Sequence, residues 1–173
     1  MKRIYDFANI ILFVLMGSGV LANYSRLPER IPTHFDIAGR PDSWGGRSTI
    51  LILAATALGL TALFYLLMPL VSRLDKNPQI VNIPRKDELF KLPPEKRLPY
   101  WDLMKEFMAG MACALNLLFY LLLRGTLRIA AGRVDQLHLM DIVPGMAVLF
   151  LMIVVYFVRM SSLPGKIIRG EVP

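Results

Sequence analysis

The stretch from Thr49 to Val71, TILILAATALGLTALFYLLMPLV, runs from end to end without a charged residue. An α-helix needs about 20 apolar residues to cross a hydrocarbon core of about 30 Å. A block this long and this uniformly apolar therefore reads as a transmembrane helix. Ser48 or Thr49 supplies its N-terminal cap, and Pro69 falls in its last turn. Ala55, Gly59 and Ala62 give it a small-residue face suited to close helix contact in lipid.

Three further blocks repeat this pattern. Residues 4–23 follow Met1-Lys2-Arg3, an arrangement shared with secretory signals, and Val20-Leu21-Ala22 would serve as a cleavage site. Asp6 and Asn9 interrupt its early part and its length suits a bilayer, so it reads as the first span. The third covers about 107–123, introduced by Tyr100 and Trp101 as interface anchors. The fourth covers about 142–158, with Pro144 in its first turn. The predicted fold class is an all-α integral membrane protein, one membrane domain over residues 1–173. Four transmembrane helices enclose a Pro/Gly-rich loop, 24–48, between the first and second.

Composition agrees. Among 173 residues, 55% are hydrophobic and 19% charged, with a formal net charge of +7. The Lys and Arg flank the apolar blocks instead of interleaving with stacking aromatics, which argues against nucleic acid as a partner. The single Cys113 excludes an intrachain disulfide. Thirteen Lys and Arg lie in the N-terminus, the 72–106 connection and the tail from Arg159; seven lie in 24–48 and 124–141. By the positive-inside rule both termini and the long connection are cytoplasmic, in a multi-pass protein of a bacterial inner (plasma) membrane. The 24–48 loop then faces outward.

The 72–106 connection carries Pro78, Pro84, Pro93, Pro94 and Pro99, a spacing that favours an extended strap along the membrane surface. Arg85, Lys86, Lys91, Lys96 and Arg97 suit anionic lipid headgroups, and a cytoplasmic partner docking here is a competing use. The outer segment 124–141 sets Arg124 and Arg128 four apart on one helical face, as an amphipathic extension of the third helix. Those arginines suit lipid phosphates or the carboxylates of the first loop. Asn116 and Cys113 are the polar candidates within the spans, too few for a transport path.

The chemically dense stretch is Leu27–Arg47, LPERIPTHFDIAGRPDSWGGR. Its alternation from Pro32 to Ile37 predicts a short extended arm. His34 and Asp36 fall on one face, and Phe35 and Ile37 on the face that packs against the helix ends. Candidate binding residues are Pro32, His34, Phe35, Asp36, Gly39, Asp42, Trp44 and Gly45, with Arg124, Arg128 and His138 as a possible outer layer. Three chemistries compete. His34, Asp36 and Asp42 offer imidazole and carboxylate ligands to zinc or manganese. His34 poised by Asp36 would serve acid–base chemistry, although no Ser, Cys or Lys nucleophile set accompanies it, so an enzyme is the less favoured reading. Alternatively the polar groups satisfy backbone in a rigid recognition cap, which needs no cofactor.

Leu27-Pro28, Ile31-Pro32, His34-Phe35, Gly39, Asp42 and Trp44-Gly45 together resemble the signature of a bacterial membrane-domain family of unknown biochemical activity. That domain forms the N-terminal part of SdpI-like immunity proteins. Asn82-Ile83-Pro84 and Leu92-Pro93-Pro94 are similar to patterns in the family's cytoplasmic connection. The resemblance implies protection against, or sensing of, a secreted peptide toxin, with possible capture of a cytoplasmic partner. This chain shows four spans where SdpI-like proteins have further helices, so the domain transfers more safely than the role. The competing reading is an accessory subunit of a larger membrane complex, docking through Ala55/Gly59 and Gly110/Ala114.

Overall fold

The computed structural model describes residues 2–171. Its long helices are α1 (Lys2–Asn23), α2 (Thr49–Val71), α4 (Pro94–Ala130) and α5 (Leu139–Ile168). A short α3 (Lys86–Lys91) lies in the connection between α2 and α4, and strands β1 (Arg30–Phe35) and β2 (Pro41–Gly46) lie between α1 and α2. The four long helices are each long and apolar enough to cross a membrane. Large apolar side chains such as Phe7, Val14, Leu66, Phe150 and Phe157 stand exposed along them. Water would not tolerate so continuous an apolar surface, whereas lipid solvates it.

Helix α4 is the hub, packing against α1, α2 and α5. Small residues on several of its faces make this possible, with Ala109, Gly110, Ala112 and Ala114 all buried. A Cβ at Gly110 would lie 2.0 Å from the Met152 side chain of α5 and 3.4 Å from the Tyr5 ring of α1. The Gly110/Ala114 face is thus an internal contact, while Gly59 on α2 has nothing within 4 Å of where a Cβ would stand.

Polar groups tie the same helices together. Asn116 on α4 donates to Asn9 Oδ1 of α1 at 2.7 Å and to Thr61 Oγ1 of α2 at 2.9 Å. Asn9 in turn donates to the Ala109 carbonyl at 3.4 Å, and the Tyr65 hydroxyl donates to the Asp6 carboxylate. One turn before Ala109 on α4, Glu106 accepts from the Tyr156 hydroxyl at 2.6 Å and pairs with Arg159 at 2.7 Å. With no water in a bilayer core, each such group must find its partner within the protein. Asn9, Thr61 and Thr126 join Asn116 as buried polar residues, a larger set than the sequence reading named.

The 72–106 connection departs from an extended strap. It forms 3-10 turns at Leu74–Lys76 and Pro78–Ile80, then α3, and α4 already begins at Pro94. Pro93 is the extended cap and Pro94 the first helical residue, where a missing N–H costs nothing. Pro99 removes one bond inside the helix at a cost of about 3 kcal/mol. Against that, Tyr100 and Trp101 are 0% and 2% exposed; burying such rings is worth roughly 4–6 kcal/mol each as an upper bound. Burial wins, and the helix continues. These two rings are therefore core residues and not interface anchors, because the connection folds back over them. Trp101 Nε1 donates to Asp75 at 3.1 Å. Arg97, one of the basic residues assigned to lipid, instead pairs with Asp75 at 3.2 Å and donates to the Leu92 and Phe90 carbonyls.

Two other boundaries differ. Helix α5 starts at Leu139, which puts Pro144 in its second turn, where it removes a bond to the Met140 carbonyl. The segment from Arg124 continues α4 as far as Ala130 before the chain turns.

Candidate functional site

The fold is not purely α: β1 and β2 form an antiparallel hairpin. Ile31 opposes Gly45 and Pro32 opposes Trp44, but the register slips at Thr33. This bulge inserts one extra residue into β1, and a second slip between His34 and Phe35 inserts Asp42 into β2 and restores the register. Ahead of the bulges, Ile31 and Pro32 form the buried root of the hairpin, at the ends of α2 and α4. Phe35 is half-buried, and Ile37, expected on the packed face, is fully exposed in the turn. Gly45 is required opposite the bulge, since a Cβ there would lie 2.7 Å from the Thr33 methyl.

The turn is closed by Asp36. Its Oδ1 accepts the Arg40 N–H at 2.8 Å, its own N–H donates to the Arg40 carbonyl, and its carbonyl accepts the Gly39 N–H. Side-chain closure of this kind is what aspartate supplies to turns. Gly39 has φ +80°, in the left-handed region. Its carbonyl accepts the Leu137 N–H at 2.8 Å, which fastens the hairpin turn to the α4–α5 connection.

His34 and Asp42 pair across the strands, Nδ1 to Oδ1 at 2.6 Å, with side chains 70% and 44% exposed. Asp36 is committed to the turn, so the three residues do not assemble as one ligand set. Among the described residues no group of three or more His, Cys, Asp or Glu is arranged to hold a metal. Trp44 is 46% exposed, and its carbonyl accepts from the Arg30 guanidinium at 3.2 Å.

Beneath the hairpin lies a cavity of about 410 Å³. Pro32, His34, Phe35, Asp36 and Gly39 line it from the hairpin, whereas Asp42, Trp44 and Gly45 do not. Its other walls are Ile50 and Leu53 of α2, Leu122 and Thr126 of α4, Leu137, and Ile142 of α5. Thr126 is 6% exposed, and its hydroxyl has no hydrogen-bond partner among the described residues. The interior is thus mainly apolar with a polar rim, the usual chemistry of a ligand pocket.

The proposed outer layer does not join this site. Arg124 and Arg128 lie in a separate cleft between α1 and α4. His138 is the N-cap of α5, its N–H bonded to Asp141 Oδ2 at 3.2 Å. The helix-borne walls were missed because apolar residues in spans all read alike. Leu137, an isolated leucine in a polar connection, was the one available signal.

The chain is 34% identical over 94 residues to a protein of Archaeoglobus fulgidus described as uncharacterized. The alignment covers 54% of this chain and 51% of that protein, so the chain matches about half the length of its relative. No solved structure matches. Residues 10–58, from within α1 through the hairpin into α2, match the family model described as Domain of unknown function (DUF1648), the domain whose signature the loop resembles.

Proposed function

We propose that this multi-pass membrane protein is a recognition module whose hairpin faces outward from a bacterial inner membrane. In this reading it captures the apolar part of an envelope-active peptide, giving immunity to it or sensing it. The observation that carries the reading is the cavity of about 410 Å³ between a rigid hairpin and the ends of three helices. Its apolar interior suits a hydrophobic side-chain cluster. The rim residues Thr33, His34 and Asp36 suit backbone amides or a terminal charge. Positive charge concentrated at the opposite end supports cytoplasmic termini. The test is protection. A host lacking the gene and complemented with the wild type should tolerate a severalfold higher dose of at least one peptide in an envelope-active panel. Leu53→Trp, which fills the cavity, should abolish that gain. Equal sensitivity with and without the gene across the panel contradicts the proposal.

One observation favours a second reading as an accessory subunit. The Ala55/Gly59 face of α2 is exposed and unpartnered, which suits a neighbouring helix in lipid. Purification in mild detergent separates the two: a stable larger assembly dissolved by Gly59→Leu supports the subunit reading.

A further inference from the structure

A second cleft, of about 650 Å³, opens between α1 and α4 at the hairpin end of the bundle. Along α4 its wall is a single stripe, Tyr120, Arg124 and Arg128, spaced at i, i+4 and i+8. Arg133, just past the helix, adds a third guanidinium. On α1 the facing wall carries Ser18 and Gly19, small residues that leave the space open. Among the described residues no acidic side chain lines the cleft. Arg128 has a loose partner outside it, Asp141 at 3.5 Å. Arg124 and Arg133 are exposed and have no side-chain partner among the described residues.

We propose that this cleft binds the phosphate of an anionic phospholipid, in the leaflet at the hairpin end. Several features converge on that chemistry. Guanidinium groups hold phosphate oxygens in a bidentate fork, and three of them match one concentrated negative charge. The arginines sit in the last turns of a helix long and apolar enough to cross a membrane and just beyond it, the positions that meet headgroups when such a helix spans a bilayer. Tyr120 lies one turn deeper, where an aromatic ring bridges headgroup and chain. Leu15, 41% exposed, lines the deep end of the cleft with Tyr120 and gives an acyl chain an apolar track. A soluble phosphate would gain the arginines but would leave that track empty, so lipid is the occupant that uses the whole cleft.

The test uses the full chain purified in a neutral detergent. It is titrated with phosphatidylglycerol, phosphatidylcholine or inorganic phosphate, and bound lipid is counted on the monodisperse fraction by native mass spectrometry. Phosphatidylglycerol should bind more tightly than phosphatidylcholine, and millimolar inorganic phosphate should not displace it. Arg124→Ala and Arg133→Ala should each weaken phosphatidylglycerol about fivefold, the effect of one arginine near a charged headgroup. Arg40→Ala, an exposed arginine on the hairpin, should leave affinity within about twofold. Neither cleft arginine has a contact to lose, and an unchanged melting temperature in detergent alone verifies the fold. Unchanged lipid affinity in Arg124→Ala/Arg133→Ala overturns the proposal. So does an equal loss in Arg40→Ala, or displacement by inorganic phosphate at concentrations matching the lipid.

Discussion

The Gly39 carbonyl accepts the Leu137 N–H at 2.8 Å, and a Cβ at Gly39 would lie 1.8 Å from the Leu137 carbonyl oxygen. Two backbones that are distant in sequence thus meet with no room for a side chain. The contact fixes the hairpin turn over the α4–α5 connection and closes one side of the cavity. Gly39→Ala should be severely disruptive. The left-handed φ alone costs about 1–2 kcal/mol, and the steric overlap forces the two backbones apart. A lowered melting temperature in detergent checks this, with Gly132→Ala as the comparison. Gly132 also has positive φ, but nothing lies within 4 Å of its Cβ position. It should show the conformational penalty without the overlap.

The Asn9–Asn116–Thr61 cluster is the polar lock between α1, α4 and α2. Asn116→Leu removes three bonds, two with Thr61 and one with Asn9, and leaves the Asn9 side-chain amide oxygen without that donor in an apolar surround. A loss of about 1–2 kcal/mol is expected, the range seen for interhelical hydrogen bonds in membranes. Adding Asn9→Leu should recover part of it, because the orphaned group then disappears. Unfolding of the two single variants and the double in mixed micelles measures the coupling.

His34 and Asp42 form a short but exposed pair, so its contribution to stability is small. A double-mutant cycle with His34→Ala and Asp42→Ala should give a coupling of about 0–1 kcal/mol. Any larger effect of His34→Ala on peptide protection would then reflect contact with the ligand, since His34 lines the cavity rim.

Topology is testable with single thiols in a Cys113→Ser background. Ile37→Cys, in the fully exposed turn, should react with an impermeant maleimide in intact cells. Ile80→Cys, 68% exposed in the connection between α2 and α4, should react only after permeabilisation. The reverse pattern would place the hairpin in the cytoplasm.

The membrane spans were legible in the sequence because 17 or more uncharged, mainly apolar residues in a row have few other physical explanations. Where the sequence misled, tertiary packing had overridden a local rule. Pro94 and Pro99 suggested a broken chain, yet Pro94 opens a helix, and burial of Tyr100 and Trp101 carries it past Pro99. Alternation placed Ile37 in the packed face, but β1 ends at Phe35, Ile37 lies in the turn, and Ile31 and Pro32 form the root. His34, Asp36 and Gly39 were identified from residue type, from local alternation and from the signature that contains His34 and Gly39. Their separate duties, a cross-strand pair, a turn closure and a backbone stitch, depend on partners that only the fold brings near. The cavity's helical walls carried no signal, since Leu53 and Leu122 look like any other leucine in a span.

The central claim is that the cavity under the hairpin is where a peptide is recognised. The most direct measurement is the affinity of a fluorescently labelled protective peptide for the purified protein, compared with Leu53→Trp. The account predicts saturable binding to the wild type and at least a tenfold loss in the filled variant, with its melting temperature unchanged. Equal affinity of the two proteins would contradict it.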